Sequence, residues 1–191
     1  KMKFSIIIPS WNNLKYLQNC IESIIKNSFY KHEIVIHLNE GKDNSEEYLN
    51  KMNIKYTRSN ENIGICKGVN QAYKKATMDY IIYSNDDMYF SNNWDKELSD
   101  QILNLKNDFF YFTAKSISKK NDIVDLDCGN NIEEFDQKKF DDYCKKDDTP
   151  NLIASHLSPF VVHKKIWDMV NGFSEEFDPG DGSDPDFCMK L

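Results

Sequence analysis

Asp86 and Asp87 stand side by side in the stretch YIIYSNDDMYF, residues 80–90, directly after Asn85. Two adjacent carboxylates repel one another, and they stay dehydrated only where a cation or hydrogen-bond donors compensate them. A hard divalent ion with oxygen ligands meets that need. The same pair also suits a surface turn, since Asp and Asn bond their own backbone there. What surrounds the pair decides between the two.

The elements that would position it are legible. Residues 80–83 are β-favouring and suit a strand buried on both faces, as in the middle of a parallel sheet. The carboxyl ends of such strands line the binding crevice of open α/β sheets. Upstream, FSIIIP at 4–9 predicts a first buried strand whose ladder Pro9 ends. A polar turn, residues 10–13, follows. Leu14, Leu17, Ile21, Ile24 and Ile25 then recur at helical spacing, with Asn12 or Asn13 as the cap. Residues 33–38 predict a second strand, 39–45 a loop in which Asn44 or Ser45 caps a short helix over 46–52, and 55–57 a third strand. In NENIGICKGVN, residues 60–70, Gly64 and Gly68 permit close backbone approach, and a helix begins over 65–76. Three strand-loop-helix units predict a mainly parallel sheet, with right-handed crossovers placing all four loops at one edge.

Beyond the acidic pair, residues 93–106 predict a helix with Leu98, Ile102 and Leu105 on one side, and 109–114 an aromatic strand. Residues 116–150 shift to lysine, aspartate and asparagine. They read as an exposed excursion, partly helical or hairpin: a substrate-facing flap or a solvated decoration. The apolar run 152–162 returns to the core. Residues 164–170 form a short helix that Asn171-Gly172 ends. The tail FSEEFDPGDG then leads to Asp184, on a Gly- and Pro-rich loop before a helix starting near Asp186, with Asp186 as its cap.

Composition excludes several classes. At 191 residues, 40% hydrophobic and 13% aromatic, the chain fits one folded domain. A net charge of −7 argues against nucleic acid as a partner. An anionic small molecule is compatible with that charge if a metal ion or a helix N-terminus meets it. Arg58 is the only arginine beside 23 lysines, which nearly excludes an arginine clamp on phosphate. Five dispersed cysteines suggest neither a disulfide framework nor a zinc knuckle. The chain shows no transmembrane segment or signal peptide and reads as soluble, hence cytoplasmic, peripheral at a membrane at most. No Gly-x-Gly-x-x-Gly turn, P-loop or Gly-x-Ser-x-Gly elbow is present.

Four segments in order resemble glycosyltransferase family 2, the nucleotide-sugar-dependent, inverting enzymes of GT-A fold: SIIIPSWNN, NENIGICKGVN, YSNDDMYF and GFSEEFDPGDGSDPDFCMKL. The resemblance implies an α/β GT-A fold, a Rossmann-like, mainly parallel sheet flanked by helices. It implies a single catalytic domain over residues 1–191, with a nucleotide-binding half, 1–90, and an acceptor-side half, 91–191, lacking its C-terminal end.

The implied activity is metal-assisted transfer of a sugar, with inversion, from a nucleotide-diphosphate donor of UDP-sugar type to a hydroxyl on a glycan, lipid-linked or protein acceptor. Pro9, Ser10 and Trp11 would lie against base and ribose. Asn39 and Glu40 stand where an acidic pair usually reads the base, in a loop one residue short of the family pattern. Asn62, Gly64 and Gly68 would border the nucleotide. Asn85 replaces the first acid of the metal motif, a change some relatives share. Asp86 would turn toward the ribose or sugar, and Asp87 would hold Mn²⁺ or Mg²⁺. Asp184 would be the general base, with Ser183 where a glutamate often precedes it. His32, His37, His156 and His163 do not match the family's histidine ligand, and His156 alone lies near the acceptor-side segment. A sugar-nucleotide pyrophosphorylase would need a glycine-rich, arginine-bearing first loop. A degenerate nucleotide- or glycan-binding module of the same fold is the stronger rival.

Overall fold

The computed structural model describes residues 1–115, 117, 119, 124–146 and 158–191. Two compact units are present, Lys1–Thr113 with His156–Leu191, and Ala114–Ser155. The first holds a six-stranded sheet of β1 (Phe4–Trp11), β2 (Glu33–Asn39), β3 (Lys55–Ser59), β4 (Tyr80–Tyr83), β5 (Phe112–Thr113) and β6 (Phe160–His163), in the order β3-β2-β1-β4-β6-β5. The first four strands are mutually parallel, while β6 runs antiparallel to both β4 and β5. The expected mainly parallel sheet is therefore what forms.

The sheet is covered on both faces, and alternation along β1 assigns the sides. Ile6 and Ile8 pack with Leu17, Ile21 and Ile24 of α1 (Leu14–Asn27), Leu49 of α2 (Ser45–Lys51) and Ile102 of α4 (Trp94–Leu105). Ile7 faces the other way, among Cys66, Val69 and Ala72 of α3 (Ile65–Tyr73), Trp167 of α6 (Lys164–Met169) and Phe187 of α7 (Ser183–Met189). All three isoleucines are fully buried, each contributing on the order of 2 kcal/mol. In the second unit α5 (Gln137–Cys144) begins at Asp136, whose carboxylate accepts from the Lys139 amide. The described residues include no helix long and apolar enough to cross a membrane.

Several expectations are corrected. The β1 ladder runs on through Pro9 to Trp11, paired with β2. Alternate residues of a parallel strand address the same neighbour, and the Ile7 carbonyl accepts from Ser84 on the β4 side. Pro9 thus turns its missing N–H toward the side where β4 has already stopped. The aromatic stretch 109–114 contributes only Phe112 and Thr113 to the sheet. Helix α7 begins at Ser183 after Gly182 at φ 81°, so Asp184 lies in its first turn. Asp186 is inside that helix and accepts from Ser174 Oγ at 2.6 Å, so it is no cap. Residues 152–157, with His156, lie outside the described residues.

Candidate active site at the carboxyl edge of the parallel strands

The order β3-β2-β1-β4 reverses direction at β1, so the ends of β1 and β4 form the switch point beside which open α/β sheets bind ligands. Ser10 and Asp86 meet there. The buried Ser10 hydroxyl donates to Asp86 Oδ2 at 2.6 Å, and Asn13 Nδ2 donates to Oδ1 at 3.2 Å. Burial pushes the Asp86 carboxyl above its ordinary range, and the neighbouring Asp87 adds to this against the two hydrogen bonds. Asp87 is exposed, and no hydrogen bond or ion pair engages it among the described residues. Asn85 accepts from the Tyr83 hydroxyl at 2.9 Å.

That tyrosine locates the acidic groups. Burial raises its ionisation well above the usual value first, and the carboxylates of Asp184, Asp87 and Asp86 add to it. Asp184, Asp87 and Asp86 thus all act electrostatically on the buried Tyr83 hydroxyl. Asp184 Oδ2 accepts from the Ser158 amide at 2.9 Å.

At the β2 end the Glu40 carboxylate gathers Trp11 Nε1 at 3.1 Å, Asn12 Nδ2 at 2.8 Å and Lys42 Nζ at 3.0 Å. These donors, Trp11 foremost, hold its carboxyl below the usual range. Trp11 itself is 56% exposed, with its indole edge fixed on Glu40 and much of its surface open. Asn39 is buried, and its side chain is spent on the chain after β3: Oδ1 accepts from the Ile63 amide at 2.9 Å and Nδ2 donates to the Gly64 carbonyl at 3.3 Å. Asn62 is exposed and accepts from the Gly64 amide.

The two glycines serve packing. A Cβ on Gly68 would come within 2.8 Å of the buried His37 ring, so glycine lets α3 lie close on β2. A Cβ on Gly64, at φ 89°, would fall 2.2 Å from Asp178 Oδ1.

Asp178 matters because of where its carboxylate sits. It accepts from the amides of Cys66 at 2.8 Å and Lys67 at 3.3 Å, the open N–H groups at the start of α3. Asp43 does the same elsewhere, accepting from the Leu14 amide at 2.7 Å and the Ser45 amide at 3.2 Å. Neither Asn12 nor Asn13 caps α1, and the Asn44 side chain caps nothing. The starts of α1, α2 and α3 are thus met by the protein's own carboxylates, while those of α4 and α7 carry no side-chain cap. Nothing in the sequence marked Asp43 for α1 or Asp178 for α3, because those two caps come from distant segments.

The family model described as Glycosyl transferase family 2 matches residues 5–162. The chain belongs to that family. Among curated proteins it is similar to the chondroitin synthase of Pasteurella multocida, 26% identical over 98% of this chain and 18% of that protein. It also resembles the poly(ribitol-phosphate) beta-N-acetylglucosaminyltransferase TarS of Staphylococcus aureus, 28% identical over 61% of this chain and 22% of that one. The chain thus spans about a fifth of the length of these relatives.

Among solved structures, S. aureus TarS 1-349 in complex with UDP matches at a TM-score of 0.71 and 21% identity, covering 98% of this chain and 54% of that one. The mannosyltransferase PcManGT from Pyrobaculum calidifontis, in complex with GDP-Man and Mn²⁺, matches at 0.59 and 13%, covering 91% and 48%. These likenesses show the GT-A fold.

In this family 2 domain no cluster of three His, Cys, Asp or Glu side chains that would cage a metal exists among the described residues. A magnesium-like ion needs no cage. It is held by one or two carboxylates with substrate phosphates completing the shell, and the exposed, unengaged Asp87 fits that role. The remaining histidines are structural. His163 Nδ1 accepts from the Lys165 amide at the start of α6, His37 bonds Thr57 and Ser59, and His32 bonds Asp95.

Proposed function

We propose that this domain transfers a sugar, with inversion, from a UDP-sugar to a hydroxyl of a glycan, lipid-linked or protein acceptor. One observation carries the reading. The helix starts at the crevice are occupied by Asp43 and Asp178, while Asp87 stands exposed beside Asp86. A diphosphate brought there finds the starts of α1, α2 and α3 already met by carboxylates, and a divalent ion on Asp87 would supply neutralising charge when bound.

The residues divide the remaining work. Trp11 offers its open ring surface to the base, with Glu40 fixing the indole edge and standing where the base is read. Asp86, tied to Ser10 and Asn13, presents a fixed acceptor edge toward the ribose. Asn85 keeps the tyrosine-bonded carbonyl turned inward, which leaves its amide hydrogens for the donor. Asp184 takes the proton of the acceptor hydroxyl, its carboxylate oriented by the Ser158 amide. The domain boundary over 1–191 and the division at residue 90 belong to this reading. UDP as the carrier is supported by the neighbours solved with UDP and UDP-GlcNAc.

Calorimetric titration with UDP, with manganese and then with chelator, tests it on the wild type and Asp87→Ala. Binding that needs the metal and is lost in the variant is expected. Equal binding with chelator, or in Asp87→Ala, overturns the metal site. If both the wild type and Asp184→Asn transfer sugar equally well, the base assignment fails, and if UDP binds but the wild type transfers no sugar, the non-catalytic module gains ground.

A further inference from the structure

The segment joining α6 to α7 is fastened to α3 at two separated points. At one end Asn70 grips Phe173 as a peptide would: Nδ2 donates to the Phe173 carbonyl at 2.9 Å and Oδ1 accepts from the Phe173 amide at 3.0 Å. At the other, Asp178 accepts from the Cys66 and Lys67 amides, and the Ile65 amide donates to the Pro179 carbonyl at 3.1 Å. The fit there is close, because Gly64 has no side chain to displace the Asp178 carboxylate and Gly180 lies against Ile65. From Gly180 the chain turns directly into α7, where Ser183 donates both its amide and its hydroxyl back to the Gly180 carbonyl, at 3.1 and 2.7 Å. Asp184 is the next residue.

We propose that Asn70 and Asp178 are positioning residues, which clamp residues 173–180 onto α3 and so fix the first turn of α7 that carries Asp184. Both grips come from α3, the helix that follows the nucleotide loop, so the loop expected to border the donor and the turn bearing the base share one rigid support. Misplacing a reacting group by about 1 Å costs on the order of a hundredfold in rate. Neither Asn70 nor Asp178 touches the reacting atoms. The clamp's bearing on catalysis rests on the reading of Asp184 as base.

Amide hydrogen exchange read by mass spectrometry tests the clamp without any substrate. In Asp178→Ala, and independently in Asn70→Ala, protection of residues 183–189 should fall at least about tenfold while β1 and β4 stay protected. Asp178→Asn keeps one carbonyl acceptor for the α3 amides and should restore much of it. Unchanged exchange of α7 in both alanine variants overturns the proposal. So does a loss of protection spread evenly over the sheet, since the residues would then be general structural supports.

UDP release from UDP-GlcNAc gives the second readout. The alanine variants should lower kcat by about tenfold to a hundredfold with KM little changed, and Asp178→Ala should add nothing once Asp184 is Asn. A raised KM with kcat intact overturns the clamp's role in catalysis. If Asp184→Asn keeps full turnover, the base reading fails while the exchange result still judges the clamp.

Discussion

Ser10 and Asp86 lie 76 positions apart in the chain and are joined across the crevice by a 2.6 Å hydrogen bond from hydroxyl to carboxylate. The bond ties the end of β1 to the loop after β4 at the point where the strand order reverses. A hydrogen bond to a charged acceptor contributes about 1.5–3 kcal/mol. Ser10→Ala should therefore lower unfolding stability by about 2 kcal/mol in urea titration and weaken UDP binding, by releasing Asp86.

Asp43 caps two helices with one carboxylate. Asp43→Ala should cost about 1–2 kcal/mol, visible as a lower urea midpoint with an unchanged slope. Asp43→Asn, which keeps one acceptor oxygen, should lose about half as much.

The contact of Gly68 with the His37 ring leaves no room for a methyl group. Gly68→Ala forces α3 away from β2 or turns the ring, at a cost of about 1–3 kcal/mol. Thermal melts read this directly. A variant as stable as the wild type would show that the two elements have slack there.

His37 predicts a pH dependence. Burial lowers its pKa from 6.5 to about 4, against a hydrogen bond with Asn39 that raises it. Between those values the unfolded chain binds a proton that the folded chain refuses. Stability is then full above pH 6.5 and is lost as the pH falls toward 4, by about 2 kcal/mol with some solvent screening allowed. His37→Gln should flatten that part of the stability profile. His32, whose pKa burial also lowers, will retain a smaller slope.

Much of this was legible in the sequence, for identifiable reasons. Strands buried on both faces are written as continuous apolar runs, so β1, β2 and β4 could be read off, as could α1 from its helical spacing. The aromatic run around Phe112 could not, because Phe109 faces solvent and only two residues find a ladder. Asp87 and Asp184 were singled out as candidates, and the structure places Asp87 exposed beside Asp86 and Asp184 in the first turn of α7. The helix caps were not, since local rules favour the nearest asparagine, whereas Asp43 lies 29 residues from Leu14 and Asp178 lies 112 from Cys66. The side chain of Asn39 suggested a base reader by position, yet only three-dimensional structure reveals its bonds to Ile63 and Gly64.

The pairing of β6 with β4 has a consequence for how the molecule is made. β4 leaves the ribosome with β1 beside it, but its other edge stays bare until residues Phe160–His163 emerge. A bare edge of apolar strand invites pairing with another chain. The nascent protein must therefore carry a sticky, unfinished sheet through a long stretch of synthesis. The net charge of −7 sets like-charge repulsion between copies against that pairing.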